Sequence, residues 1–162
     1  MLVLALAVVQ PVAAQSFKPD FEAGHGAWGK EDYATALKHW KPLAKQGHPK
    51  AQLRLGNMYR FGRGVKKDYK QAVKLFSLSA KQGEPYSLYN LGVMYRDGKG
   101  VLQDLVMAYV WFNLATTNHH KIVPISRDKV LSRLTGPERR LALKLSKLCL
   151  RKPAKCPEYS DD

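Results

Sequence analysis

The residues able to do chemistry are few, and their spacing argues against catalysis. His119 and His120 could offer ring nitrogens to a metal, but adjacent histidines on a loop with no third ligand read as solvent-exposed side chains. Asp32, Asp68 and Asp104 recur at a fixed step and could form a ladder of carboxylates. Each stands just ahead of a helical stretch, which explains them as helix caps. Gly62-Arg63-Gly64 and Gly98-Lys99-Gly100 look superficially like loops that cradle phosphate. Neither has a strand before it or a Lys-Ser/Thr pair after it, so nucleotide binding fails on context. Ser77, Ser79, Ser126 and Cys149 have no base partner at a fixed spacing, and Trp40, Trp111 and Phe112 read as core. No nucleophile, base and orienting group assemble. The expectation is a non-enzymatic protein with no metal and no cofactor.

The elements that must position these residues form a repeat. A step of 36 links Asp32, Asp68 and Asp104, then Ala36, Ala72 and Ala108, then Trp40, Phe76 and Phe112. The same step joins Leu55 to Leu91, Gly56 to Gly92, Tyr59 to Tyr95, Gly62 to Gly98, Gly64 to Gly100 and Val65 to Val101. A fixed period of this length is the mark of stacked supersecondary units.

Each recurring residue has a physical task. Apolar positions 51, 55, 58 and 59 make one helical stripe, so a first helix spans Ala51–Phe61. Gly62 suits the left-handed residue that ends a helix, Gly64 keeps the turn tight, and Val65 plugs it into the core. Asp68 then caps a second helix, with Gln71 placed for a capping box. Ala72, Phe76 and Ala80 form its buried stripe, Gly83 ends it, and Pro85 opens the next first helix. Small residues at Gly56, Ala72 and their mates Gly92 and Ala108 let paired helices approach closely, while Tyr59, Tyr95 and Phe76 fill the remaining space. No strand pattern is visible, and the fold class expected is all-α.

Leu-Gly-x-Met-Tyr-x-x-Gly-x-Gly-Val-x-x-Asp-x-x-x-Ala, with Ala-Lys-Gln-Gly closing a unit, resembles the Sel-1-like repeat, a relative of the tetratricopeptide repeat. The resemblance is specific over residues 32–118. It implies an α-solenoid of antiparallel helix pairs whose concave face is lined by the first helices and binds peptides or protein segments. Opposite the buried stripe of those helices lie Leu53, Asn57 and Arg60, with mates Tyr89, Val93 and Arg96. These six are the expected ligand-binding residues. Two aligned arginines suit an acidic or C-terminal carboxylate ligand. Some cysteine-rich relatives are described as acting on cell-wall or β-lactam compounds, but those carry a cysteine pair within each repeat, and these repeats contain none. A hydrolase is therefore the weaker alternative.

The organisation expected is a signal peptide over 1–14, a degenerate opening repeat or cap over 17–50, and repeats over 51–86 and 87–122. Capping helices follow over 123–152, then a tail over 153–162. The export reading rests on the apolar run Leu2–Val9 and on Val12-Ala13-Ala14, which suit cleavage before Gln15, although no Lys or Arg precedes the run. Asn118-His119-His120 replaces the glycine that closes each unit, so the array is expected to stop there. Thr135-Gly136-Pro137-Glu138 signals a helix start, and Leu141, Leu145 and Leu148 form its apolar stripe. In an oxidising compartment Cys149 and Cys156 are expected to form a local disulfide. The net charge is +14, of which residues 121–155 carry 11 Lys/Arg against 2 Asp/Glu. That stretch makes an anionic envelope polymer a second expected partner. No zinc spacing or RNA-binding motif accompanies it, which argues against nucleic acid. No later run is apolar enough to span a bilayer.

Overall fold

The repeated caps and turns fold the chain into consecutive helix pairs. The computed structural model describes residues 17–116, 122–151 and 156. In chain order the helices are α1 (Phe21–Gly29), α2 (Tyr33–Lys45), α3 (Pro49–Phe61), α4 (Tyr69–Ala80), α5 (Pro85–Asp97), α6 (Leu105–Thr116), α7 (Ile122–Leu131) and α8 (Gly136–Arg151). The described residues contain no strand. The segment expected to be a signal peptide, with its expected cleavage point, the His119-His120 pair and most of the C-terminal tail lie outside them.

The aspartates do what their position demands. Asp32, Asp68 and Asp104 each accept a hydrogen bond through Oδ1 from the backbone N–H three residues on, at 3.0, 3.0 and 2.9 Å. Each satisfies a donor that the helix itself leaves unpaired. Gly62 and Gly98 end α3 and α5 in the left-handed region, with φ of 70° and 64°. The following turn is fixed identically in both units: Asp68 N–H bonds Tyr59 O at 2.9 Å, and Asp104 N–H bonds Tyr95 O at 3.0 Å. His48 and Glu84 cap α3 and α5, each followed by a proline in the first turn.

Within each pair the axes come close because a glycine on the first helix faces an aromatic ring on the second. A Cβ added at Gly24 would lie 2.5 Å from Trp40; at Gly56 it would lie 2.7 Å from Phe76, and at Gly92 2.6 Å from Phe112. All three rings are fully buried, as are Ala36, Ala72 and Ala108. The pairs α1–α2, α3–α4 and α5–α6 stack in sequence, each second helix also packing on the next first helix. The antiparallel helix-pair solenoid that the repeat resemblance implies is the observed architecture.

The C-terminal region is built differently. α7 packs on α6 as α3 packs on α2 and α5 on α4. Its Val130 is buried and stands 36 residues after Met94, which stands 36 after Met58; all three are core. The row of first helices therefore continues into α7 in register. α8 instead packs back on α6. It starts as expected: Glu138 Oε2 accepts from Thr135 N–H at 2.8 Å and from its hydroxyl at 2.7 Å.

The buried face of α8 is not the leucine stripe. Ala142, Ser146 and Cys149 face the core, with Leu145 packed at its edge, whereas Leu141 and Leu148 are exposed. The reason is volume. α6 is apolar on all sides and fills this region with Trp111, Phe112 and Leu114, so the helix over it presents small residues. Cys149 and Cys156 form the expected disulfide, seven positions apart in sequence, and both are buried.

Candidate functional site

A first helix that hides Ala51, Leu55 and Met58 against its partner turns its opposite side toward the neighbouring first helices. Between α1, α3 and α5 this side forms an open groove of about 500 Å³. That is within the roughly 300–1,000 Å³ span of small-ligand and short-peptide sites. Leu53, Asn57, Arg60 and Tyr89 line it, as four of the six residues chosen from sequence. The other wall residues are Trp28, Arg54, Phe61, Arg63, Tyr86 and Asn90.

The floor is a polar chain that crosses from one unit to the next. Arg60 Nη1 donates to Asn90 Oδ1 at 2.8 Å, and Asn90 Nδ2 donates to Asn57 Oδ1 at 3.4 Å. Among the described residues no carboxylate lies within 4.0 Å of Arg60, Arg54 or Arg63. Burial pulls the Arg60 guanidinium below the usual arginine value, with Asp97 opposing that shift from a distance. Arg60 stays charged, yet it has lost water without gaining a carboxylate in return.

The rim is aromatic and cationic together. Arg63 lies over Trp28 at 5.3 Å and over Phe61 at 5.6 Å, while Arg60 lies 4.9 Å from the Phe61 centroid. Phe61 is 52% exposed and Tyr86 55% exposed. Large apolar rings left in water beside a concavity are surface that a ligand can cover. The groove can therefore take apolar side chains along its wall and an acidic group at its floor.

Two expected residues lie elsewhere. Val93 is 4% exposed and belongs to the main hydrophobic core cluster rather than to the wall of the groove. Arg96 does not share the groove with Arg60. It bonds Asp97 through Nε at 2.7 Å and lines a second concavity, between α5 and α7. Arg54, Phe61, Tyr86 and Asn90 sit on the flank of the helical stripe that picked out the other residues. Their signal was their position one step round that stripe. Trp28 and Arg63 reach the groove only through the stacking of units, which the spacing within one unit does not report.

The described residues contain no group of three or more His, Cys, Asp or Glu arranged to hold a metal. They also contain no helix long and apolar enough to cross a membrane.

Comparison with known proteins agrees with this architecture. The family model described as the Sel1 repeat matches residues 22–48, 49–84 and 85–120. Among solved structures, a protective antigen of uropathogenic Escherichia coli displaying an SLR fold is 31% identical, with a TM-score of 0.76. The match covers 84% of this chain but 30% of the antigen, so the chain spans less than a third of that protein. A Sel1 repeat protein from Oxalobacter formigenes is 29% identical with a TM-score of 0.61, over 67% of this chain and 85% of the other. No curated protein matches. Sel1-repeat proteins are in general scaffolds for protein–protein interaction, and the fold is typically non-enzymatic. On the three matched repeats and the stacked helix pairs that embody them, the chain belongs to the Sel1 repeat family.

Proposed function

We propose that this chain is a non-enzymatic interaction scaffold of the bacterial envelope that holds a short segment of another protein in the groove between α1, α3 and α5. One observation carries the reading: a half-buried arginine, with no carboxylate within 4.0 Å among the described residues, lies beside exposed aromatic rings in a concave surface. A bound segment would cover Phe61 and Tyr86 with apolar side chains and bring an acidic group to Arg60. The envelope assignment is supported by the apolar run at Leu2–Val9 and by the disulfide, which suits an oxidising compartment.

Affinity capture from crosslinked envelope fractions tests this reading. The wild-type chain is expected to retain a discrete partner that the variant Phe61→Ala/Tyr86→Ala/Arg63→Glu loses. All three positions are exposed, so the fold survives the change. Equal recovery by both proteins refutes the groove.

A second reading has its own observation. Arg140, Lys144, Lys147 and Arg151 form the exposed crest of α8, away from the buried Ala142, Ser146 and Cys149. Such a ridge suits an anionic envelope polymer, with attraction that weakens steeply as salt rises. Binding of polymer unaffected by salt, or by Lys144→Glu/Lys147→Glu, rules it out.

A further inference from the structure

The second concavity, between α5 and α7, repeats the first with changed chemistry. It holds about 420 Å³ and is lined by Arg96, Ile125, Ser126, Lys129, Val130 and Arg133. The repeat step relates its residues to those of the groove: Arg96 follows Arg60 by 36, and Ser126 follows Asn90 by 36. Where Arg60 meets an amide on the next first helix, Arg96 has a hydroxyl on its wall. Lys129 stands in the register of the buried Val93, and Arg133 in that of Asp97. An apolar position and an acidic one have both become basic.

The cations here are arranged for a partner. Lys129 lies in the last turn of α7 and Arg133 in the turn that follows it, so two like charges line the same concavity. Both are exposed, and among the described residues neither has a carboxylate within 4.0 Å. Arg96 is tied to Asp97 by Nε alone. Ile125, 72% exposed, supplies an apolar wall beside them.

We propose that this pocket is a second subsite of the same binding track, and that it takes an acidic side chain flanked by an apolar residue. The ligand class is therefore an extended acidic protein segment that spans two units, with one carboxylate at Arg60 and another among Arg96, Lys129 and Arg133. This proposal rests on the groove reading above. A polypeptide is favoured over a phosphate polymer because both concavities pair cations with exposed apolar walls, and a polyphosphate would leave Ile125, Phe61 and Tyr86 in water.

The test pans a random dodecapeptide display library on the full chain and measures the enriched peptides by fluorescence anisotropy. Enriched peptides are expected to place Asp or Glu beside an apolar residue. Lys129→Glu/Arg133→Glu should weaken them about tenfold or more, as loss of a charge-assisted pair does. Lys144→Glu/Lys147→Glu makes the same charge change on α8 and should leave binding within about twofold, since neither side chain lines the pocket. Changing the acid in the peptide to its amide should weaken binding to the wild type but not to Lys129→Glu/Arg133→Glu. Peptides lost by Phe61→Ala/Tyr86→Ala yet indifferent to Lys129→Glu/Arg133→Glu overturn the subsite and leave the groove standing. Equal losses in both charge-reversed proteins overturn it in favour of diffuse attraction. A library that enriches nothing overturns both readings. Binding of phosphatidylglycerol vesicles that depends on Lys129 and Arg133, without peptide binding, reassigns the pocket to phosphate.

Discussion

The glycine–ring contacts make a quantitative prediction about what holds each helix pair together. In Gly92→Ala the new Cβ would lie 2.6 Å from both Cδ1 and Cε1 of Phe112. Carbon atoms rest at about 3.5–4.0 Å, so the overlap approaches roughly 1 Å. Phe112 has no exposed surface and cannot swing into water, so the helices must part. Overpacking of this kind costs about 1–3 kcal/mol. The substitution also removes a helix-interior glycine, which returns about 1 kcal/mol. Gly26 separates the two effects: it lies within α1, and a Cβ there meets nothing within 4 Å. Gly26→Ala should therefore stabilise the protein while Gly92→Ala does not, with a difference of about 1–3 kcal/mol that isolates the contact. Urea unfolding followed by far-UV circular dichroism measures both, with an unchanged slope confirming that the unfolded states are comparable. Adding Phe112→Leu to Gly92→Ala should cost less than the sum of the two single changes, because the leucine leaves room for the methyl. Gly92→Ala as stable as Gly26→Ala would refute close approach as the organising contact.

Two other outcomes follow from the termini of the helices and the chain. Asp32 and Glu138 are held below their usual carboxylate values by hydrogen bonds from Thr35 and Thr135. Their folded forms thus bind protons less readily than the unfolded chain, so this stability is complete above about pH 4–4.5 and is lost as pH falls through the lowered values. Asp32→Asn/Glu138→Gln should flatten the acid limb of a pH series of urea midpoints, and an unchanged limb refutes the assignment. Reduction of Cys149–Cys156 opens a loop of about eight residues and should cost about 2.5 kcal/mol on the chain-entropy view. Amide exchange should rise first in the last turn of α8, and uniform exchange along that helix would count against a local role.

The helix pairs were legible in the sequence because their determinants are local. Asp68, Gly62 and Pro85 act within a turn or two of themselves, and the 36-residue step shows each of them twice or more. The groove was legible only in part, because its walls come from three units. Arg60 was visible as a residue opposite the core; its bond to Asn90 depends on how α5 sits beside α3. Val93 occupies the same place on its helix as Asn57, yet it is buried in the core, which the spacing within one unit does not report. α7 itself carries none of the Leu-Gly-x-Met-Tyr signature, only a buried Val130 at the repeat interval, so its continuation of the row could not be read from motif. On α8 the leucine spacing was real, but it could not reveal that α6 had already filled the space beneath.

The register relation between the two concavities separates positions that build from positions that choose. Gly56 and Gly92, Met58 and Met94, and Asp68 and Asp104 are the same residue in both units. Arg54 and Asn90, and Asn90 and Ser126, occupy equally matched places with unrelated side chains. A scaffold divided in this way can be re-addressed to a new client by exchanging a handful of wall residues, leaving its mainframe and its folding untouched.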